Sequence, residues 1–216
     1  MAYWIVKATL GTLLRMLFRI RVENAEAVAS DGPLILASNH LSVSDSFFLP
    51  LVLKRRVTFV AKAEYFDNWK TAWFFRAVGQ IPIRREGGAA SDAALEAARG
   101  VLRAGGVFGI YPEGTRSPDG RLYKGKTGVA RLAVECGVPV VPVAMVGTRE
   151  AQPIGKVVPK FFSPITIKFG TPIAPERFAG GDRPMLRAFT DEIMFELREL
   201  SGQTYVDEYA KRALAA

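Results

Sequence analysis

The sequence predicts an α/β fold: a single domain with a mostly parallel central sheet flanked by helices, preceded by an N-terminal amphipathic membrane-interface helix. Three observations carry this. Short apolar runs rich in β-branched residues alternate with longer stretches of helical period. Hydrophobic residues make up 49% of the 216 positions, which is enough to bury one core of ordinary domain size. No repeat or low-complexity segment interrupts the chain, and the Gly-containing stretches at 87–90 and 178–183 are as short as surface loops. The expected division is therefore a helix over 1–20 and one domain over 21–216.

The first twenty residues are strongly apolar but contain Lys7, Arg15 and Arg19, so no charge-free stretch reaches the ~18 residues of a spanning helix. A cleavable leader would place its charges before the apolar part; here they fall inside and after it, which argues against secretion. On a helix, Lys7, Gly11, Arg15 and Arg19 follow at i, i+4 steps. Ile5, Val6, Leu10, Leu13, Leu17 and Ile20 cover the other side. Such a helix suits a membrane interface; the alternative is a terminal helix packed on the domain's own core.

Strands are expected over 34–37, 58–61, 79–83, 107–111, 140–146 and 166–169, where β-branched and aliphatic residues run together. Helices are expected over 45–53, 69–78, 91–103, 126–136 and 184–200. Several open on Ser, Thr or Asp, and Gly105-Gly106 and Gly137 are the clearest stops. Within 69–78, Trp69, Trp73, Phe74 and Phe75 lie beside Lys70 and Arg76, which suits either a lipid headgroup interface or packing on the core.

A formal charge of +8 and a pI near 9.8 favour an anionic partner: nucleic acid, a phosphorylated metabolite or an anionic bilayer. Cys136 is the only cysteine, so no intrachain disulfide forms.

The chemistry concentrates in two segments. His40, the only histidine, sits in Ser38-Asn39-His40-Leu41-Ser42-Val43-Ser44-Asp45, between an expected strand and an expected helix. Active-site groups collect at such carboxyl ends of strands. In a regular helix, positions five apart point ~140° away from each other, so only a loop folding back from the helix start brings His40 and Asp45 together. An aspartate accepting the Nδ1–H would leave Nε2 free to take a proton from a hydroxyl. The alternative is a structural histidine beside a helix-capping Asp. The second segment, Pro112-Glu113-Gly114-Thr115-Arg116-Ser117, leaves the strand expected over 107–111. Gly lets backbone approach a ligand, Thr and Ser offer hydroxyls, and Arg grips phosphate bidentately, so the run reads as a phosphate cradle or, more plainly, as a polar turn.

Together these segments resemble the PlsC-type glycerolipid acyltransferases, which include the lysophosphatidic acid acyltransferases. The family's Asn-His-x-x-x-x-Asp motif is matched by Asn39, His40 and Asp45. Its Gly-x-x-Phe-Ile-x-Arg motif is matched by Gly79, Ile83 and Arg85, with Pro82 departing at the aromatic position. Its Phe-Pro-Glu-Gly-Thr-Arg-Ser motif runs from Pro112 to Ser117 after Tyr111 in place of Phe. A late Val-Pro-x-x-Pro-Val segment appears as Val138-Pro139-Val140-Val141-Pro142-Val143. Order and spacing both fit over residues 30–150, which is far more specific than one motif.

The resemblance implies that His40 deprotonates an acceptor hydroxyl, that Asp45 orients it, and that the oxygen attacks an acyl thioester directly. It implies substrate or phosphate contacts from Arg85, Glu113, Gly114, Thr115 and Arg116. Lys62, at a strand end, is either a further positive charge near that phosphate or, more plainly, a solvated lysine. Glu113 is open between a substrate hydroxyl and a salt bridge to Arg116. The implied partners are acyl-CoA or acyl-carrier protein, a lysophospholipid and an anionic membrane surface, with no nucleic acid and no cofactor. The implied place is the cytoplasmic face of a membrane, peripheral or monotopic.

Rival readings fit less well. Gly120 to Thr127 satisfies the P-loop pattern, but a P-loop follows a strand directly and here a Pro- and Gly-containing loop intervenes. A basic lipid- or nucleic-acid-binding module accounts for the charge and for Lys54-Arg55-Arg56, without explaining His40 and Asp45 at their spacing. No Gly-x-Ser-x-Gly elbow occurs, a cysteine nucleophile would compete for the single histidine, and one His with one Cys makes no metal site.

Overall fold

The computed structural model describes residues 2–29, 31–84, 89–178 and 180–211. In chain order it runs α1 Ala2–Leu17, β1 Arg19–Glu23, β2 Leu34–Ser38, α2 Asp45–Val52, β3 Val57–Thr58, β4 Val60–Lys62, α3 Glu64–Asp67, α4 Trp69–Ala77 and β5 Ile81–Ile83. It continues α5 Ala89–Arg103, β6 Val107–Ile110, β7 Leu122–Tyr123, α6 Gly128–Cys136, β8 Val140–Val146, α7 Thr148–Ala151, β9 Pro164–Phe169, α8 Arg183–Ser201 and β10 Tyr205–Val206.

Six strands form the main sheet in the order β1-β9-β8-β2-β6-β3, parallel throughout except where β9 runs against β8. β2 lies at its centre and is buried over its whole length. Leu34 and Leu36 face one layer with Phe48 and Leu49 of α2, while Ile35 and Ala37 face the other with Leu95, Leu132 and Phe189 from α5, α6 and α8. A strand covered on both faces needs no polar alternation, which is why its sequence is a continuous apolar run. The expected α/β sheet flanked by helices is therefore what the chain forms. Turn chemistry sets the ends of the longest helix: Asp182 accepts from the Met185 N–H at 3.0 Å at its start, and Gly202 closes it at φ 70°.

Some expectations shift. The strand expected over 58–61 breaks at Phe59: β3 joins the main sheet beside β6, and β4 turns away to pair with β5. The Phe59 ring occupies the space above Gly109, where a Cβ would lie 2.2 Å from it. The strand expected over 79–83 begins at Ile81, and the helix expected over 126–136 begins at Gly128. β1 has no counterpart in the sequence reading, because Ile20 also continues the helical spacing of Leu13 and Leu17; the chain leaves the helix after Leu17 and Arg19 pairs with Pro164.

α1 packs on α2, but not with the face its charges mark. Lys7 and Gly11 turn inward, and the Lys7 ammonium donates to the Leu53 carbonyl and lies over the Tyr3 and Trp4 rings. Arg15 stays exposed, and the outward face carries Trp4, Ile5, Leu13 and Met16. Among the described residues no helix is long and apolar enough to cross a membrane. Trp69 and Trp73 of α4 are exposed, at 78% and 60%, so they are not part of the core; the side chains of Lys70 and Phe74 lie outside the described residues, as do residues 85–88, and the loop expected over 87–90 gives way to α5 from Ala89.

Candidate active site

β2 delivers the site. At its carboxyl end Asn39, fully buried, pins the chain to β8: its amide donates to the Met145 carbonyl at 3.1 Å and accepts from the Met145 N–H at 2.7 Å. It also donates to the Gln203 side chain at 2.7 Å. His40 follows, held by its backbone: its N–H donates to Glu113 Oε1 at 3.1 Å, and its carbonyl accepts from the Ser117 N–H at 2.7 Å. The two sequence segments, seventy residues apart, are thus one structure.

The turn between β2 and α2 folds back so that Asp45, the first residue of that helix, meets His40. Its Oδ2 accepts from His40 Nδ1 at 2.9 Å, from the Leu41 N–H at 2.7 Å and from the Ser42 N–H at 2.8 Å. A carboxylate only accepts, so Nδ1 carries the proton and Nε2 presents its lone pair. Asp45 is fully buried, and the His40 side chain is 16% exposed. The Tyr111 ring stacks on the imidazole, centroids 3.8 Å apart and planes within 10°. Its hydroxyl shares a 2.9 Å hydrogen bond with Ser46, and burial, with the Asp45 charge nearby, pushes its phenol well above the usual range. His40 is therefore fixed on its edge by Asp45 and on its face by Tyr111.

Glu113 is 1% exposed, and its oxygens accept from the backbone N–H groups of His40 and, at 3.0 Å, Tyr123. Burial pushes its carboxyl up to about 7, partly opposed by those two donors. The carboxylate braces the histidine's backbone, a third role beside the two that the sequence left open. Gly114 has φ 74°, and an added Cβ there would lie 3.1 Å from Lys126 Nζ, so the lysine lies across the bare glycine. Thr115 and Arg116 complete this rim. Ser117 serves the turn itself: its hydroxyl accepts from the Gly120 N–H and donates to the Arg121 carbonyl.

From His40, Gly114, Thr115, Arg116 and Lys126 a cavity of about 440 Å³ leads inward. The same cavity is lined by Phe59 and Phe75, by Val6, Lys7 and Leu10 of α1, and by Leu51 of α2. A basic rim beside a histidine and an apolar interior suits an acceptor with an anionic head and a chain of hydrocarbon.

His40, Asp45, Glu113, Gly114, Thr115 and Arg116 thus lie together. Lys62 ends β4, but its side chain lies outside the described residues, as does the whole of Arg85. The sequence reading missed Lys126 and the stacking role of Tyr111. The only local signal for Lys126 was its place in the P-loop pattern, and that pattern has another structure here. Leu122 and Tyr123 pair with β10, Lys124 bridges to Asp207 at 2.9 Å, and the Gly125 carbonyl accepts from Arg187 at 2.7 Å. This backbone lies in a strand pair and does not wrap a phosphate. Cys136, at the end of α6, packs beside the core on the α5, α6 and α8 face and does not compete for His40.

Comparison with known proteins gives the family. The family model described as Acyltransferase matches residues 19–146. A chloroplastic 1-acyl-sn-glycerol-3-phosphate acyltransferase of Arabidopsis thaliana is 31% identical over 154 residues, 71% of this chain and 43% of that protein. A 1-acyl-sn-glycerol-3-phosphate acyltransferase of Bacillus subtilis is 25% identical over 197 residues, 90% of this chain and 94% of that protein. The chain spans less than half the length of the relatives from Arabidopsis thaliana, Brassica napus and Chlamydomonas reinhardtii that it matches. The crystal structure of the 1-acyl-sn-glycerophosphate acyltransferase PlsC from Thermotoga maritima superposes with a TM-score of 0.68 at 28% identity, over 91% of this chain and 78% of that one. With the family model covering more than half of its length and both motif segments meeting at one site, the chain belongs to the acyltransferase family.

Proposed function

We propose that the chain transfers a fatty acyl group from the thioester of coenzyme A or acyl-carrier protein to the free hydroxyl of lysophosphatidic acid, forming phosphatidic acid for phospholipid synthesis. The observation that carries the reading is His40, its Nδ1 bound to buried Asp45 at 2.9 Å, set at the rim of an apolar cavity beside Arg116 and Lys126.

Nε2 accepts the hydroxyl proton as that oxygen forms a bond to the thioester carbonyl carbon. The tetrahedral intermediate then expels the thiolate, which takes the proton back from the imidazolium, so the ester and the free thiol are the products and no acyl group resides on the protein. Asp45 stabilises the imidazolium between the two steps. Arg116 and Lys126 hold the acceptor phosphate, with Gly114 and Thr115 lining its seat, while Glu113 braces the His40 backbone. The family resemblance adds Arg85, and the sequence Lys62, as further candidate contacts for that phosphate. The hydrocarbon occupies the cavity that reaches α1. The chain works at the cytoplasmic face of an anionic membrane, peripheral or monotopic; the net charge of +8 and the exposed Trp4, Ile5, Leu13 and Met16 support this.

The test is to incubate purified protein with radiolabelled acyl-CoA or acyl-carrier protein and a panel of lysolipids. Labelled phosphatidic acid from lysophosphatidic acid, lost in His40→Ala, is the expected result. Label retained covalently on the protein during turnover, or full activity in His40→Ala, refutes direct transfer.

A further inference from the structure

The segment between α7 and β9, residues 152–163, presents its apolar side chains outward on a fixed backbone. Val157 is 89% exposed, Val158 70%, Phe162 64% and Phe161 44%. This is not fraying. The amide of Gln152, itself 8% exposed, donates to the Lys156 and Val157 carbonyls at 3.2 and 2.9 Å; the Lys160 N–H donates to the Ala151 carbonyl at 2.7 Å, and the Ser163 hydroxyl to the Lys160 carbonyl at 2.7 Å. Phe162 sits at φ 58°, a left-handed conformation costly for a bulky side chain, and its ring faces outward. A chain that holds four large apolar groups in water, one of them in a disfavoured backbone state, has a surface shaped for something apolar.

Two further observations identify the occupant. The loop is continuous with α1: the Phe162 N–H donates to the Leu17 carbonyl at 2.7 Å, and the Phe161 ring lies 6.0 Å from that of Phe18, so Leu13 and Met16, both exposed, extend the patch. Exposed Arg15 of α1, Arg19 at the start of β1, and Lys156 and Lys160 of the loop flank these apolar groups along the chain, which matches apolar groups flanked by cations to an anionic headgroup layer. The sheet also orients the loop. β9 runs antiparallel to β8, with Val146 opposite Thr166, so Phe162 emerges at the carboxyl edge of β8 and β2, the edge that bears His40.

We infer that residues 156–162 form a membrane-inserting loop that, together with the outer face of α1 near Leu13 and Met16, seats the carboxyl edge of the sheet on an anionic bilayer. This rests on the lipid-acylating reading above, and it adds a second anchor that holds the His40 edge toward the leaflet carrying the acceptor. α1 alone would leave the domain free to rotate about that helix. The loop and helix together define a plane.

Flotation with phosphatidylcholine vesicles, with and without phosphatidylglycerol, tests the proposal on the full chain. The variant Val157→Ser/Val158→Ser/Phe162→Gly removes the apolar groups, and glycine tolerates the φ of Phe162, so the thermal transition should be retained. Its binding to anionic vesicles should fall at least about tenfold, given the apolar area withdrawn. A nitrobenzoxadiazole dye on Val158→Cys, in a Cys136→Ser background, should be quenched by doxyl-labelled acyl chains when vesicles are added. Unchanged vesicle binding by the folded triple variant, or a dye untouched by the lipid quencher, overturns the inference. So does loss of binding to an acidic carrier protein with vesicle binding intact, which would make the patch a protein-docking face. Turnover of dissolved short-chain substrates separates the two readings: the triple variant should match wild type. Absence of turnover in wild type itself would refute the acyltransferase reading and leave the vesicle result to judge the loop.

Discussion

Asp45→Asn separates the two things the aspartate does for His40. Three donors converge on Oδ2, from His40 Nδ1, Leu41 N and Ser42 N, while Oδ1 is buried with no partner among the described residues. An asparagine will therefore keep its oxygen on the crowded side, because the reverse flip would aim its NH2 at two backbone N–H groups. The Nδ1–H tautomer should persist, and what disappears is the charge. Unit charges 2.9 Å apart attract by about 6 kcal/mol at an effective dielectric of about 20. With the proton about half transferred in the transition state, about 3 kcal/mol is lost, or a fall in kcat of roughly 100- to 1,000-fold. The new NH2 has no acceptor, so stability should drop by about 1–2 kcal/mol, a few degrees in Tm. Acceptor KM should hardly move, since Arg116 and Lys126 are untouched. The assay is steady-state acyl transfer together with long-range ¹H–¹⁵N spectra of the imidazole, which report one residue because the chain has one histidine. A near wild-type kcat, or a neutral ring carrying its proton on Nε2 in the variant, would falsify this account of Asp45.

The same geometry predicts four further outcomes. Leu10→Trp adds bulk to the cavity lining and should shorten the preferred acyl chain by roughly two methylenes, each worth about 0.8 kcal/mol of burial; an unchanged chain-length profile would remove the hydrocarbon from that cavity. Gly114→Ala forces a methyl into φ 74° and against Lys126, costing about 1–2 kcal/mol and raising KM for a phosphorylated acceptor. Arg116→Ala and Lys126→Ala should raise the same KM, and neither should alter thioester KM; a KM change shared by phosphate-free acceptors would count against the phosphate seat. For Glu113, a carboxyl near 4.5 when unfolded and about 7 when folded holds an extra proton in the folded chain between those values. Its contribution is complete below 4.5 and is lost as pH rises through about 7. Relative to Glu113→Gln, wild type should lose about 3 kcal/mol of unfolding free energy across that window in urea titrations. A pH-independent gap between the two proteins would show that the carboxyl titrates normally.

The amino-acid sequence by itself determined the mostly parallel α/β core and pointed to the residues of the candidate site. The strand expected over 140–146 is Val140–Val146 in the structure, because a strand covered on both faces must be apolar at every position, and that is a local property. Asn39, His40, Asp45 and the run from Pro112 to Ser117 were legible because they match the acyltransferase family's motifs in order and spacing, and the fold brings them together. Other features exist only between distant segments. β1 shares the helical spacing of the residues before it and becomes a strand only because β9 offers it a partner. Phe59 breaks a continuous apolar run because Gly109, fifty residues away, leaves room for its ring. Which face of α1 turns inward is set by its packing on α2, where Lys7 meets the Leu53 carbonyl against the charge pattern. Lys126 reaches the site over a glycine, Tyr111 covers His40, and Glu113 braces it across 73 positions of chain. Periodicity reports which side of an element is apolar; the partner that covers it, and the polar atom that meets it, are set by packing between elements, which no local pattern records.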